Sequence, residues 1–252
     1  MPEGDLKSLI WKLRLRVSRS LVPTGAQGED DFDWRRYHLE YLEQVQSQEE
    51  TLTLRLPSSN WSLHDGTISL AAEKPLHPNH KLLYETILEL GPQSVLEAGC
   101  GGGDHLHNLA LLLPHANIRG VDRSLGQLET LRRRNPEVAG WASVMDLTLP
   151  APRSLTESEL TFTQAVVMHI QTGSSHKVAL WNLFHLSTQY VLLMENWARH
   201  DFVGDLQEMQ EREILPWSEM HLYVRRLSGR PHLLVASRTQ LEMEPLPSSG
   251  MR

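Results

Sequence analysis

The chain has 252 residues, 40% of them apolar, enough for one sizeable core with an appendage. Its formal net charge of −7 argues against a protein whose main task is gripping nucleic acid. A single cysteine excludes a disulfide framework, no apolar run reaches membrane-spanning length and no signal-peptide pattern is present, so a reducing cytosol is the expected compartment. There are thirteen histidines, but none of their spacings makes a metal site.

In residues 5–21, Leu6, Leu9, Ile10, Leu13, Val17 and Leu21 recur at helical spacing, with Lys7, Lys12, Arg14, Arg16 and Arg19 around them. Such a basic amphipathic helix suits an anionic membrane surface or a protein partner. Packing on its own domain, or on a second copy in a homodimer, is the plainer reading. Pro23 to Glu29, with Gly25 and Gly28, reads as a hinge, so residues 1–28 form a first segment. A helix is expected over residues 33–46, with Trp34, Tyr37, Tyr41, Leu42 and Val45 on its apolar face. Thr51 to Leu56 alternates like a strand, and Asp65-Gly66 within Trp61 to Leu70 signals a hairpin. Residues 29–76 therefore read as a helix-and-hairpin cap segment. Asn79 is the expected N-cap of a helix over residues 81–90, behind Pro78, and His80 is a candidate at the rim of a site.

The densest signal is Val95-Leu96-Glu97-Ala98-Gly99-Cys100-Gly101-Gly102-Gly103-Asp104, an apolar strand ending in a glycine ladder. A helical pattern, His105 to Leu113, follows at once. Strand, glycine turn and helix let backbone approach a nucleotide-like ligand and lay it across a helix N-terminus. A dinucleotide fingerprint would place its third glycine where Asp104 stands. Cys100 sits between two glycines, where a small side chain is required; a nucleophilic role is the weaker reading. Asn117 to Val121 reads as the next strand and ends on Asp122. Ser124 with Gln127 forms a capping-box pattern at the start of a helix through Arg134. A short strand, Trp141 to Met145, ends on Asp146, and Leu160 to Val166 is a fourth strand, followed by Val167-Met168-His169-Ile170.

Acidic Glu97 followed by Gly99, Gly101 and Gly103 at every second position resembles motif I of the class I S-adenosylmethionine-dependent methyltransferases. The resemblance extends over about residues 80–240. It implies an α/β fold: a Rossmann-like seven-stranded methyltransferase sheet, mostly parallel with one antiparallel strand, behind an N-terminal helix-and-hairpin cap. It implies S-adenosyl-L-methionine as cofactor, held by Glu97, Gly99, Gly101, Gly103, Asp122, Arg123, Met145, Asp146 and Gln164. In that reading Asp122 accepts from both ribose hydroxyls and Asp146 from the adenine amino group. Gln164 departs from the acidic residue or asparagine often found near its position.

Beyond the fourth strand, a helix is expected from Ser174 or Ser175 to about Leu186, then a buried strand from Tyr190 to Met194. Next comes the polar and aromatic stretch Glu195-Asn196-Trp197-Ala198-Arg199-His200. Ligands of open α/β sheets gather at carboxyl strand ends, so His169 and His200 are the candidate bases for a hydroxyl acceptor. Tyr37, His80, Glu195 and Trp197 are the candidate acceptor contacts. A helix over residues 204–212 and strands at His221 to Arg226 and Pro231 to Ser237 complete the domain of residues 77–243, and residues 244–252 read as a disordered tail. The implied activity is O-methylation of a small-molecule or glycan hydroxyl. N-methylation of a small amine and a non-catalytic cofactor-binding subunit stay open.

Overall fold

The computed structural model describes residues 34–71, 73–248 and 250–251, with side chains from Glu40 onward. The expected basic helix of residues 5–21 and the hinge at 23–29 lie outside the described residues. The long strands form one mixed sheet of seven in the order β5-β4-β3-β6-β7-β9-β8. These are β3 (Ser94–Ala98), β4 (Asn117–Asp122), β5 (Ala142–Val144), β6 (Ser158–Gln164), β7 (Ser187–Met194), β8 (His221–Leu227) and β9 (Arg230–Ser237). β3 runs parallel to β4, β4 to β5 and β6 to β7, whereas β9 lies antiparallel to β7. This is the sheet the resemblance implies. No helix among the described residues is long and apolar enough to cross a membrane.

By internal contacts the chain divides into two compact units. The first comprises Asp33–Met145 with Leu227–Arg230. It opens with α1 (Trp34–Glu49), then a hairpin of β1 (Trp61–His64) and β2 (Thr67–Leu70). Asp65 and Gly66 both have positive φ, 47° and 72°, the backbone of a two-residue type I′ turn. Helix α2 (Pro78–Leu90) carries the hairpin: Ile68 N donates to Glu85 Oε1 (2.8 Å) and Lys81 Nζ to the Ile68 carbonyl (2.8 Å). Asn79 is not its N-cap. His77 takes that place, its Nδ1 accepting from Asn79 N, because Pro78 at the first helical position has no N–H to satisfy. Helices α3 (Asp104–Leu112) and α4 (Leu125–Arg134) follow β3 and β4.

Residues 51–56 do not form the expected strand; only Thr53 makes an isolated bridge, to Leu76. The alternation is real, since Leu54 and Leu56 are buried, but at these two residues side chains rather than a neighbouring strand bond the backbone. Asn108 of α3 accepts from Leu56 N (2.7 Å) and donates to the Leu54 carbonyl (2.8 Å) and to Tyr84 Oη (2.8 Å). Asn108→Ala would leave Leu54 O and Leu56 N without this partner in a dry interior. We expect a loss of about 2–4 kcal/mol, read as a lowered urea midpoint at unchanged slope. An unchanged midpoint would show that the segment does not depend on this side chain.

The second unit, Asp146–Arg226 with Pro231–Arg252 among the described residues, holds β6 to β9, α5 (Ser175–His185) and α6 (Phe202–Glu211). Helix α6 starts two residues before the expected position because Asp201 Oδ1 accepts from Gly204 N and caps it. The expected disordered tail is also corrected at its start. Val224 N donates to Glu244 O and Leu246 N to Leu222 O, both at 2.9 Å, and Arg226 pairs with Glu244. Residues 244–246 thereby cover β8, the last strand of the sheet, whose edge would otherwise present unpaired backbone.

Candidate active site

In the first unit the glycine ladder turns the chain from β3 into α3. Gly99, Gly101 and Gly103 have φ of 86°, 49° and 80°, in the left-handed region. Gly103 is the N-cap of α3, and a Cβ there would lie 2.7 Å from Leu131 Cγ. At Gly102 a Cβ would lie 2.6 Å from the Tyr41 ring, so α1 rests directly on the turn. Asp122, at the end of β4, accepts from Gly101 N (2.9 Å) on Oδ2 and from Ser124 N (2.7 Å) on Oδ1. Burial raises its carboxyl above the usual range, opposed by those two bonds and by the Arg123 charge. Ser124 caps α4 by accepting from Gln127 N. Arg123 is exposed, whereas Met145 is buried and its N–H donates to the Asp122 carbonyl (3.0 Å).

Glu97 is buried, and its Oε2 has no hydrogen-bond partner. Burial, then Asp122, then Asp104 hold its carboxyl well above the usual range. Burial likewise raises the Cys100 thiol, which excludes a ready thiolate. The sequence reading missed the role of Asp104. Its carboxylate accepts from Arg134 Nε (2.7 Å), Asn135 Nδ2 (3.1 Å) and Tyr41 Oη (3.4 Å). Arg134 also pairs with Glu49 of α1, and Asn135 Nδ2 donates to the Gly102 carbonyl (2.7 Å). So Asp104 fastens the turn, α1 and the end of α4 together, and its charge suits the helix N-terminus. An acidic residue opening a helix just after a glycine was the only available signal.

His80 is not at a rim. It is buried, with Nδ1 at 3.2 Å from the Leu54 carbonyl and its ring 4.4 Å from that of His105. His105 Nδ1 lies 2.6 Å from Tyr84 Oη. Burial, with His77 next, lowers the His105 pKa to about 3, and burial with His105 and His77 lowers that of His80. These rings are neutral in the fold but take up protons once unfolded, near pH 6.5. Their contribution is complete above pH 6.5 and is lost as pH falls below it, down to about 3 for His105. For His105 the loss approaches about 1.4 kcal/mol per pH unit in that window. Urea titrations at pH 7 and 5 should show the loss, and His105→Gln should flatten it; equal slopes in both chains would refute this assignment. Among the described residues, no group of three or more His, Cys, Asp or Glu is placed to hold a metal ion.

The second unit gathers the remaining candidates. Asp146 caps its own turn, Oδ1 accepting from Thr148 N (2.8 Å) and Thr148 Oγ1 (2.7 Å). Gln164 ends β6 with a buried, unpaired Oε1. His169 closes a 3-10 turn, Val167–His169; it is half-buried, and burial followed by Arg199 lowers its pKa. Glu195 was expected against the acceptor, yet it is enclosed by donors from its own unit. Trp197 lies against β9, its Nε1 donating to the His232 carbonyl (3.4 Å) and its ring meeting Phe202 edge-on. His200 stacks on His176 (4.1 Å between centroids, 14° between planes), and His176 Nε2 lies 2.9 Å from Asp205 Oδ2. Tyr37 falls within α1, and its side chain lies outside the described residues.

A seven-stranded mixed sheet with an antiparallel last partner and a glycine turn after β3 is the fold of the class I S-adenosylmethionine-dependent methyltransferases. Over 183 residues the chain is 26% identical to a malonyl-[acyl-carrier protein] O-methyltransferase of Legionella pneumophila, covering 63% of this chain. The chain spans 64% of that relative's length. In structure it is similar to a TehB-like SAM-dependent methyltransferase from Corynebacterium glutamicum (TM-score 0.51, 18% identity, 79% of this chain and 96% of that one). It is also similar to CalS10, an amino pentose methyltransferase from Micromonospora echinaspora (TM-score 0.50, 14% identity, 65% and 91%). No family model matches the chain.

Proposed function

We propose that the protein transfers a methyl group from S-adenosyl-L-methionine to an oxygen of a small-molecule or glycan acceptor. The observation that carries the reading is the left-handed glycine turn whose Gly101 N–H is held by the buried carboxylate of Asp122. The residues fit the cofactor. Each Asp122 oxygen accepts one backbone bond and so keeps acceptor capacity for a ribose hydroxyl, and Glu97 Oε2 is buried without a partner. Glu97, Gly99, Gly101, Gly103, Asp122, Arg123, Met145, Asp146 and Gln164 are the residues we assign to it.

When bound, the cofactor supplies an electrophilic methyl on a sulfonium. The chain's task is to hold the acceptor oxygen in line with it, and alignment of this kind carries much of the rate. For a hydroxyl acceptor, His169 is the residue we assign to take the proton. Its lowered pKa keeps the ring neutral, and so basic, at pH 7.

The malonyl-[acyl-carrier protein] acceptor in the relative's name supports a second reading, an acidic acceptor oxygen. Such an oxygen is already an anion at neutral pH and needs no base. Calorimetry tests the cofactor first: S-adenosylmethionine should bind and NAD should not. A methyl-labelled screen over hydroxyl, glycan and carboxylate acceptors then identifies the oxygen. Binding of NAD in place of S-adenosylmethionine would overturn the proposal.

A further inference from the structure

The turn that carries His169 is built against local backbone preference. Ala165, directly after β6, has φ of 54°, in the left-handed region that a non-glycine residue occupies only when its surroundings enforce it. The loop after β7 does the enforcing. Glu195 Oε1 accepts from Thr163 Oγ1 (3.0 Å) and Val166 N (3.2 Å), and Oε2 accepts from Val166 N (3.1 Å) and Met168 N (3.0 Å). Asn196 N donates to Met168 Sδ (3.3 Å). Further along the same loop, His200 Nε2 lies 3.5 Å from Gln171 Nε2. His200 is itself backed by the His176 ring, which Asp205 holds. Residues 166–171 are thus gripped on both sides of His169 by one neighbouring loop.

We infer that Glu195 is a positioning residue for His169, its carboxylate fixing the strained turn from β6 that presents the histidine, with His200 as a second clasp. This rests on the methyl-transfer reading of the site. Both residues were candidates for direct contact with the reaction. Glu195 is 7% exposed and surrounded by donors, an arrangement suited to gripping backbone rather than meeting an acceptor. A carboxylate suits the task because both its oxygens accept, whereas glutamine would turn an N–H toward one of the donors. Burial pushes the Glu195 pKa up to about 7, while the bonds from Met168, Val166, Val167 and Thr163 pull it down.

The test uses the full chain and needs no acceptor. In Glu195→Gln, amide exchange at Val166 and Met168 should quicken by about 10–100-fold, the loss expected for a buried bond to a charged acceptor. Exchange in β9 should stay unchanged. The His169 ring resonance, assigned by its loss in His169→Gln, should titrate at a higher pH than in the wild type, because a loosened turn no longer buries the ring. Thr163→Val removes one donor at constant volume and should move both readouts in the same direction by less; if Glu195→Gln does not fold, this variant decides. Unchanged exchange and an unchanged His169 midpoint in a folded variant would overturn the inference. Calorimetry on the wild type keeps the two readings apart: absence of S-adenosylmethionine binding defeats the methyl-transfer reading whatever the turn does.

Discussion

His169→Ala should lower turnover with a hydroxyl acceptor by about 10²–10⁴-fold, the usual share of general-base catalysis. The change should fall on kcat and leave cofactor affinity nearly intact, since Asp122 and Asp146, assigned to the ribose and adenine, belong to other segments of the chain. A base works when neutral, so the wild-type rate should rise with pH through the His169 pKa and flatten above it. Burial and Arg199 hold that pKa below the usual histidine value, which places the limb below pH 6.5. The variant should lose the limb. With a carboxylate acceptor neither effect is expected, so the same variant separates the two kinds of oxygen. Full turnover and an unaltered profile on a hydroxyl acceptor would remove histidine base catalysis and leave positioning alone.

Asp122→Ala should weaken S-adenosylmethionine binding by about 1.5–3 kcal/mol, since hydrogen bonds to a charged acceptor fall in that range. This is about 10–150-fold in Kd. Two causes act together. The ribose hydroxyls lose their acceptor, and Gly101 N and Ser124 N lose the carboxylate that holds the turn and the start of α4. The second cause predicts a lowered melting temperature without ligand, which pure loss of a ligand contact would not give. Calorimetry with thermal melts measures both, and near-native affinity in a folded variant would take Asp122 out of the site.

The glycine ladder, Asp122 and the strand-helix alternation could be read from sequence because their signals are local. A left-handed turn needs glycine where it occurs, and a strand buried on both faces is an apolar run, as Val95 and Leu96 are. The Asp65-Gly66 hairpin was legible for the same reason. His80 was misjudged because nothing near it in sequence announces Leu54 and His105 as its neighbours. Residues 51–56 misled because alternation reports burial, not what bonds the backbone; the partner was the Asn108 side chain, 52 residues beyond Leu56.

Sequence by itself determined the fold class and the residues of the turn, since both follow from conformational rules acting within a few positions. Only the tertiary structure decided what the polar residues around them do. Asp104 fastens α1 and α4, Glu195 accepts from the backbone of the His169 turn, and His200 lies against Gln171 just beyond it. The reason is physical. A buried carboxylate or imidazole takes its role from the donors and acceptors that enclose it, and those arrive from segments tens of residues away.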